Sequence, residues 1–153
     1  MSSRTRAREI ALQALYEAEV NSAVDEARLE RFLHGRLGAA ALVDFAKSLV
    51  EGVRREQGAI DALLDASAVN WRVSRMAATD RAALRIAVYE LLHTDVPGPV
   101  AVDEAIGLAR RYGTEQSPRF VAGLLGRVLA DRDGGTDTGG AGRDPAPSRT
   151  RAS

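Results

Sequence analysis

The stretch from Thr79 to Gly113, TDRAALRIAVYELLHTDVPGPVAVDEAIGLARRYG, constrains this chain most. Between Arg81 and Leu92 the only charged residues are Arg81, Arg85 and Glu90. A helix that is apolar on nearly every side must be surrounded by other helices. Thr79 or Asp80 offers an N-cap oxygen at its start. Asp95-Val-Pro-Gly-Pro99 ends it, because proline has no N–H for the helical ladder and pushes the residue before it out of the α region. A second helix follows, with Val102, Ala105, Ile106, Ala109 and Tyr112 on one stripe. Gly113 stands where a left-handed residue after a helix is wanted. The pattern predicts the central hairpin of an all-α domain, with Ile86 to Leu92 as core.

The flanking segments repeat the helical period. Residues 4–20 place Ala7, Ile10, Ala11, Ala14, Leu15 and Ala18 on one face. A short helix opens near Val24, capped by Asp25, and buries Leu29, Phe32, Leu33 and Leu37. The longest helix spans about residues 40–66. Gly52 and Gly58 inside it each cost about 1 kcal/mol relative to alanine, which points to a bend or a close helix contact. A short element around Trp71 precedes the hairpin, and Trp71 is expected to cap the core. Ser117 and Pro118 make a strong start for a last helix, whose apolar face is Phe120, Val121, Leu124, Leu125, Val128 and Leu129. No period-two strand pattern occurs. The reading is a single all-α domain of about seven helices over residues 1–132. A Gly-, Asp-, Thr-, Pro- and Arg-containing tail over 133–153 is expected to be disordered.

The chemistry of this chain is limited. Its 153 residues suffice for one domain with a real core. The absence of cysteine excludes disulfides, thiolate metal sites and cysteine nucleophiles. Asp131-Arg-Asp133-Gly lacks the ligand pattern of a calcium loop, and His34 has no second ligand nearby. No phosphate loop, dinucleotide fingerprint or paired-histidine zinc motif is present. Glu90 with His93, and Asp103 with Glu104, read as helix surface charge and capping. No nucleophile stands with a base, so no enzyme, metal or cofactor is expected. No apolar run reaches membrane-spanning length, and the N-terminus is not secretory, so a cytoplasmic protein is expected.

Charge offers one further clue. Lys+Arg and Asp+Glu are both 21, so nothing about the whole molecule favours a polyanion. Arginine supplies 20 of the 21 basic residues. Arg4, Arg6 and Arg8 crowd a helix N-terminus, where an exposed cation costs roughly 0.3–1 kcal/mol. Either this end is solvated and frayed, or an anionic partner meets it.

Four blocks, in order, carry a family resemblance. Arg4-Thr-Arg-Ala-Arg8-Glu-Ile-Ala-Leu-Gln13-Ala-Leu-Tyr16 resembles the opening of the bacterial transcription antitermination NusB family. Asp80-Arg-Ala-Ala-Leu-Arg-Ile-Ala-Val-Tyr-Glu-Leu-Leu92 resembles its central helix. Val96-Pro97 with Val100-Ala-Val-Asp-Glu-Ala-Ile106 is similar to its "P-x-x-V-A-I-N-E-A" segment. Tyr112-Gly113, Ser117, Phe120-Val121 and Gly123 are similar to its closing "F-V-N-G-V-L" segment. The resemblance implies two small helical bundles packed across each other. It also implies a non-enzymatic role: binding the boxA element of ribosomal RNA leaders together with ribosomal protein NusE. It further implies other Nus factors and RNA polymerase as partners through the antitermination complex.

By the same resemblance, Arg4, Arg6 and Arg8 contact RNA, with Gln13 and Tyr16 as neighbours on that helix. Tyr112, Arg119 and Phe120 extend the RNA surface, and Asp80, Arg81 and Leu84 face NusE. Gln116 replaces an acid common in its loop, while Asp103 and Ala122 each replace an asparagine. The alternative is a stand-alone NusB-like protein-interaction module, homodimeric or not, without its own RNA specificity. The rRNA methyltransferases that carry a similar domain need a large catalytic domain with cysteines, which this chain lacks.

Overall fold

A computed structural model describes residues 2–21 and 25–141, with side chains through residue 133. Its helices are α1 (Ser3–Val20), α2 (Glu26–Leu37), α3 (Ala40–Ser67), α4 (Ala78–His93), α5 (Gly98–Tyr112) and α6 (Ser117–Ala141). A 3-10 turn at Val73–Arg75 completes seven helical elements, and no strand occurs among the described residues. Helices α1, α2 and α3 pack on one another, as do α4, α5 and α6; α4 joins the two groups through α1 and α3. This is the expected pair of small bundles.

Helix α4 is the shared core element. Ala82, Ala83, Leu84 and every residue from Ile86 to Leu91 are buried. Leu92, expected in the core, is exposed at the helix end. The two arginines of this helix turn outward as ties. Arg85 grips Asp61 of α3 through two bonds of 2.8 Å and reaches Glu19 of α1 at 3.3 Å. Arg81 also pairs with Glu19, and its other amino group donates to the Val73 and Met76 carbonyls. The hydrogen bond from Arg81 holds the Glu19 carboxyl below its ordinary value. On the far side, Lys47 ties α3 to α2 at 2.6 Å from Glu30 and 3.3 Å from Glu26.

Several local expectations are corrected. Helix α4 starts at Ala78, and its cap residue Ala77 supplies no side-chain bond, so neither Thr79 nor Asp80 is the N-cap. Gly113 has φ −96°, not a left-handed value, and Gly38 is the one positive-φ residue among those described. Glycine is needed at 113 because a Cβ there would run into Ser117. Gly52 makes a close contact, with the Tyr89 ring over its Cα, whereas nothing lies near Gly58. Trp71 is 53% exposed and caps no core. Glu90 is buried, not a surface charge. Asp25 caps α2 as expected, accepting from the Arg28 N–H at 2.8 Å.

Helix α6 continues to Ala141, past the expected tail boundary at residue 133. The tail residues 142–153 and Val24 lie outside the described residues.

Candidate nucleic-acid interface

The first turn of α1 begins at Ser2, whose hydroxyl accepts from the Thr5 N–H at 3.1 Å. Its three arginines have three different fates. Arg4 is exposed, and its guanidinium lies 4.3 Å above the Phe45 ring of α3 in a cation–π contact. Arg6 is exposed and donates to Glu9 at 3.1 Å. Arg8 is only 4% exposed. Its guanidinium grips the buried Glu90 carboxylate, Nε at 3.0 Å and Nη2 at 2.8 Å, with Glu104 of α5 at 3.6 Å.

The expectation that Arg8 touches RNA is therefore corrected. A buried arginine needs its carboxylate, since leaving either partner alone in the interior is costly. Arg8 instead ties α1 to α4 and α5. Glu104 supports the same corner by accepting from the Thr5 hydroxyl at 3.0 Å. Arg111 of α5 pairs with Glu9. This pair ties the last turn of α5 to α1, and Arg110 and Arg111 are both exposed.

Gln13, Tyr16 and Tyr112 come together one and two turns further along α1. Gln13 donates to the Tyr112 hydroxyl at 2.9 Å and accepts from Arg36 of α2 at 3.2 Å. Arg36 also covers the Phe32 ring at 4.8 Å. Between α1 and α2 runs an open groove of about 520 Å³, with Tyr16, Leu29, Phe32 and Arg28 among its walls and Thr79 at its end. Tyr16 is 43% exposed there. Sequence reasoning missed Arg28, Phe32 and Arg36 as site residues. Their helix reads as an ordinary amphipathic one, and only the docking of α2 beside Tyr112 gives them a site.

At the start of α6, Arg119 is exposed and Phe120 is half-buried against the core. Ser117 accepts from the Thr114 N–H at 2.9 Å and so shapes the turn before α6. The three residues assigned to the NusE face separate. Leu84 is fully buried at 0% exposure and can touch no partner, because the α4 periodicity turns it to the interior. Arg81 is engaged by Glu19 and two carbonyls. Asp80 is buried, yet its Oδ1 accepts no hydrogen bond among the described residues.

Comparison with known proteins decides the family. The family model described as "NusB family" matches residues 5–130. The chain belongs to the NusB family. The transcription antitermination protein NusB of Anaeromyxobacter dehalogenans is 46% identical over 130 residues, covering 84% of this chain and 92% of that protein. A solved structure of T. maritima NusB aligns with a TM-score of 0.74 and 35% identity, over 84% of this chain and 91% of that one. A crystal structure of antitermination factors NusB and NusE in complex with dsRNA aligns at TM-score 0.74 and 22% identity, over 84% of this chain and 96% of that chain. The last likeness speaks for the fold. The NusB match begins at Thr5 and ends at Ala130, so it takes in most of the arginine corner, the groove and the start of α6.

No helix among the described residues is long and apolar enough to cross a membrane. Of the departures from the family motifs, Gln116 and Asp103 are exposed and Ala122 is half-buried, so none disturbs a core position.

Proposed function

We propose that this chain is a transcription antitermination factor that binds boxA RNA of ribosomal RNA leaders together with ribosomal protein NusE. The observation that carries the RNA half is the pair of exposed arginines, Arg4 and Arg6, at the N-terminus of α1. Cations there oppose the helix dipole, and RNA phosphates supply the missing anions. Arg8 and Glu90 tie this helix to α4. Tyr112, Arg119 and Phe120 continue the surface toward α6, where aromatic faces can stack on unpaired bases.

NusE docks in the groove between α1 and α2. Its walls are largely apolar, its floor is the packed face of α1, and Arg28 and Arg36 rim it. Protein interfaces use such a centre with a polar edge. Tyr16 and Gln13 thus stand at the boundary of the two surfaces, the groove on one side and Tyr112 on the other. Family membership supports this reading, as does the family relative whose structure is described as a complex with NusE and dsRNA. Other Nus factors and RNA polymerase join through the assembled complex. No catalytic step is part of this reading.

A gel-shift with boxA RNA, with and without NusE, tests it. The expected result is a weak shift with the chain alone and a markedly tighter one with NusE, lost when the boxA sequence is scrambled. Equal retention of boxA and scrambled RNA in the presence of NusE would remove the reading.

A further inference from the structure

A second recognition feature lies at the other end of this surface. The Trp71 turn, the start of α4 and the start of α6 line an open cavity of about 230 Å³. Trp71 and Phe120 supply aromatic walls, and Gln116, Arg75 and Asp80 supply polar groups. Asp80 is 8% exposed, and its Oδ1 is buried without a hydrogen-bond partner among the described residues. Buried carboxylate oxygens are almost always satisfied, and Asp80, which lines the cavity, carries one that is not. Arg75 lines the same cavity, and Arg119 is exposed in the same turn of α6 as Phe120. Neither side chain has an ion pair or hydrogen bond among the described residues.

We propose that this cavity takes an unpaired guanine base, with the Asp80 carboxylate accepting from its Watson–Crick edge and Trp71 stacking on its face. The inference rests on the RNA-binding reading and deepens it. Guanine alone among the four bases presents two adjacent donors on that edge, N1–H and the exocyclic N2–H. Adenine and cytosine each present a ring acceptor there, and uracil a lone donor between two carbonyls. A carboxylate has acceptors only, so it matches guanine and repels the others. Flat aromatic walls suit a flat base. The free cations Arg75 and Arg119 favour a polyanion's backbone beside the cavity and oppose entry of a lysine or arginine side chain. The turn from Tyr112 through Thr114, which also lines the cavity, connects it to the arginine corner.

Trp71 is the only tryptophan, so its fluorescence reports on this cavity alone. The full chain is titrated with the pentaribonucleotides UUGUU, UUAUU, UUCUU and UUUUU, and with UUIUU, in which inosine lacks the exocyclic amine. The expected result is Trp71 quenching by UUGUU at about tenfold lower concentration than by the other three standard bases, with inosine between. Asp80→Asn should erase the preference for UUGUU over UUUUU, with circular dichroism checking that the variant keeps its helices. The inosine comparison leaves the protein untouched, so the test survives a variant that folds poorly.

Equal quenching by all four bases would reduce the site to stacking and overturn the proposal. Quenching by a Gly-Arg-Gly peptide, with no base preference, would assign the cavity to a protein cation and also overturn it. If boxA RNA shifts normally while UUGUU shows no preference, the guanine site falls and the antitermination reading stands. If no RNA binds at all, both fall.

Discussion

Arg8 and Glu90 form the buried ion pair that joins α1, whose start is the proposed RNA face, to α4. Both are buried and joined by two short hydrogen bonds, so removing one strands the other's charge in the interior. Arg8→Ala or Glu90→Ala should each cost about 3–5 kcal/mol in urea denaturation. The double change Arg8→Met with Glu90→Leu should recover much of that stability, because it removes both charges together. Equal destabilisation in single and double variants would show that packing, not charge, fixes the corner. The sequence displays Arg8 and Glu90 as ordinary helix residues, 82 positions apart. Nothing in either local pattern says that one buries the other, so Arg8 reads like Arg4 and Arg6 until α1 and α4 are docked. Asp80 is a similar case: its place in the first turn of α4 suggests helix-end charge, and only the fold shows that its Oδ1 is buried without a hydrogen-bond partner among the described residues.

Among the helices, periodicity makes each element legible and leaves the contacts between them hidden. The apolar run of α4 requires neighbours on every side and has them. The stripe of α5 is turned slightly from its expected line: Ala101, Ala105, Leu108 and Ala109 are buried, while Val102, Ile106 and Tyr112 are half-buried. The expected core role of Trp71 fails because the turn at Val73–Arg75 buries Val73 and Met76 and leaves the indole outside.

Two glycines of α3 separate a close approach from a mere weakness. Gly52→Ala must displace the Tyr89 ring and should destabilise by about 1–3 kcal/mol. Gly58→Ala meets open space and should stabilise by roughly 0.4–1 kcal/mol. Thermal melts of the two variants moving in the same direction would contradict this placement of α3 against α4.

The ties between elements also predict a pH response. The hydrogen bond from Arg81, with the Arg81 and Arg85 charges, lowers the Glu19 pKa below its ordinary 4.5. A carboxyl with a lowered folded pKa adds stability above its unfolded value and loses it as pH falls through the folded one. The stability gap between the wild-type chain and Glu19→Gln should therefore be constant above pH 4.5 and close in more acidic buffer. A gap that persists unchanged into strong acid would show that Glu19 acts through packing.

For the whole molecule, the two bundles meet so that α1 serves both proposed surfaces. Its first turns carry the arginine corner, and its middle forms a wall of the groove. The fold class and the all-α architecture are legible because helical spacing runs through nearly the whole folded part. The site is legible only where arginines break a local rule, at a helix N-terminus. Arg110 and Arg111 sit at the end of α5, where cations are favoured, and so give no such signal. The groove is not legible because its walls come from α1, α2 and the ends of α4 and α5.

If the exposed arginines of this corner bind RNA phosphates, then removing them must change the ionic part of RNA binding. The direct test is boxA affinity of the Arg4→Ala, Arg6→Ala double variant with NusE, measured across a salt series. The predicted result is weaker binding, native helicity, and a log–log salt slope reduced by roughly 0.7 for each phosphate that the arginines no longer neutralise. Unchanged affinity and slope in the folded double variant would contradict a role for this corner in RNA binding.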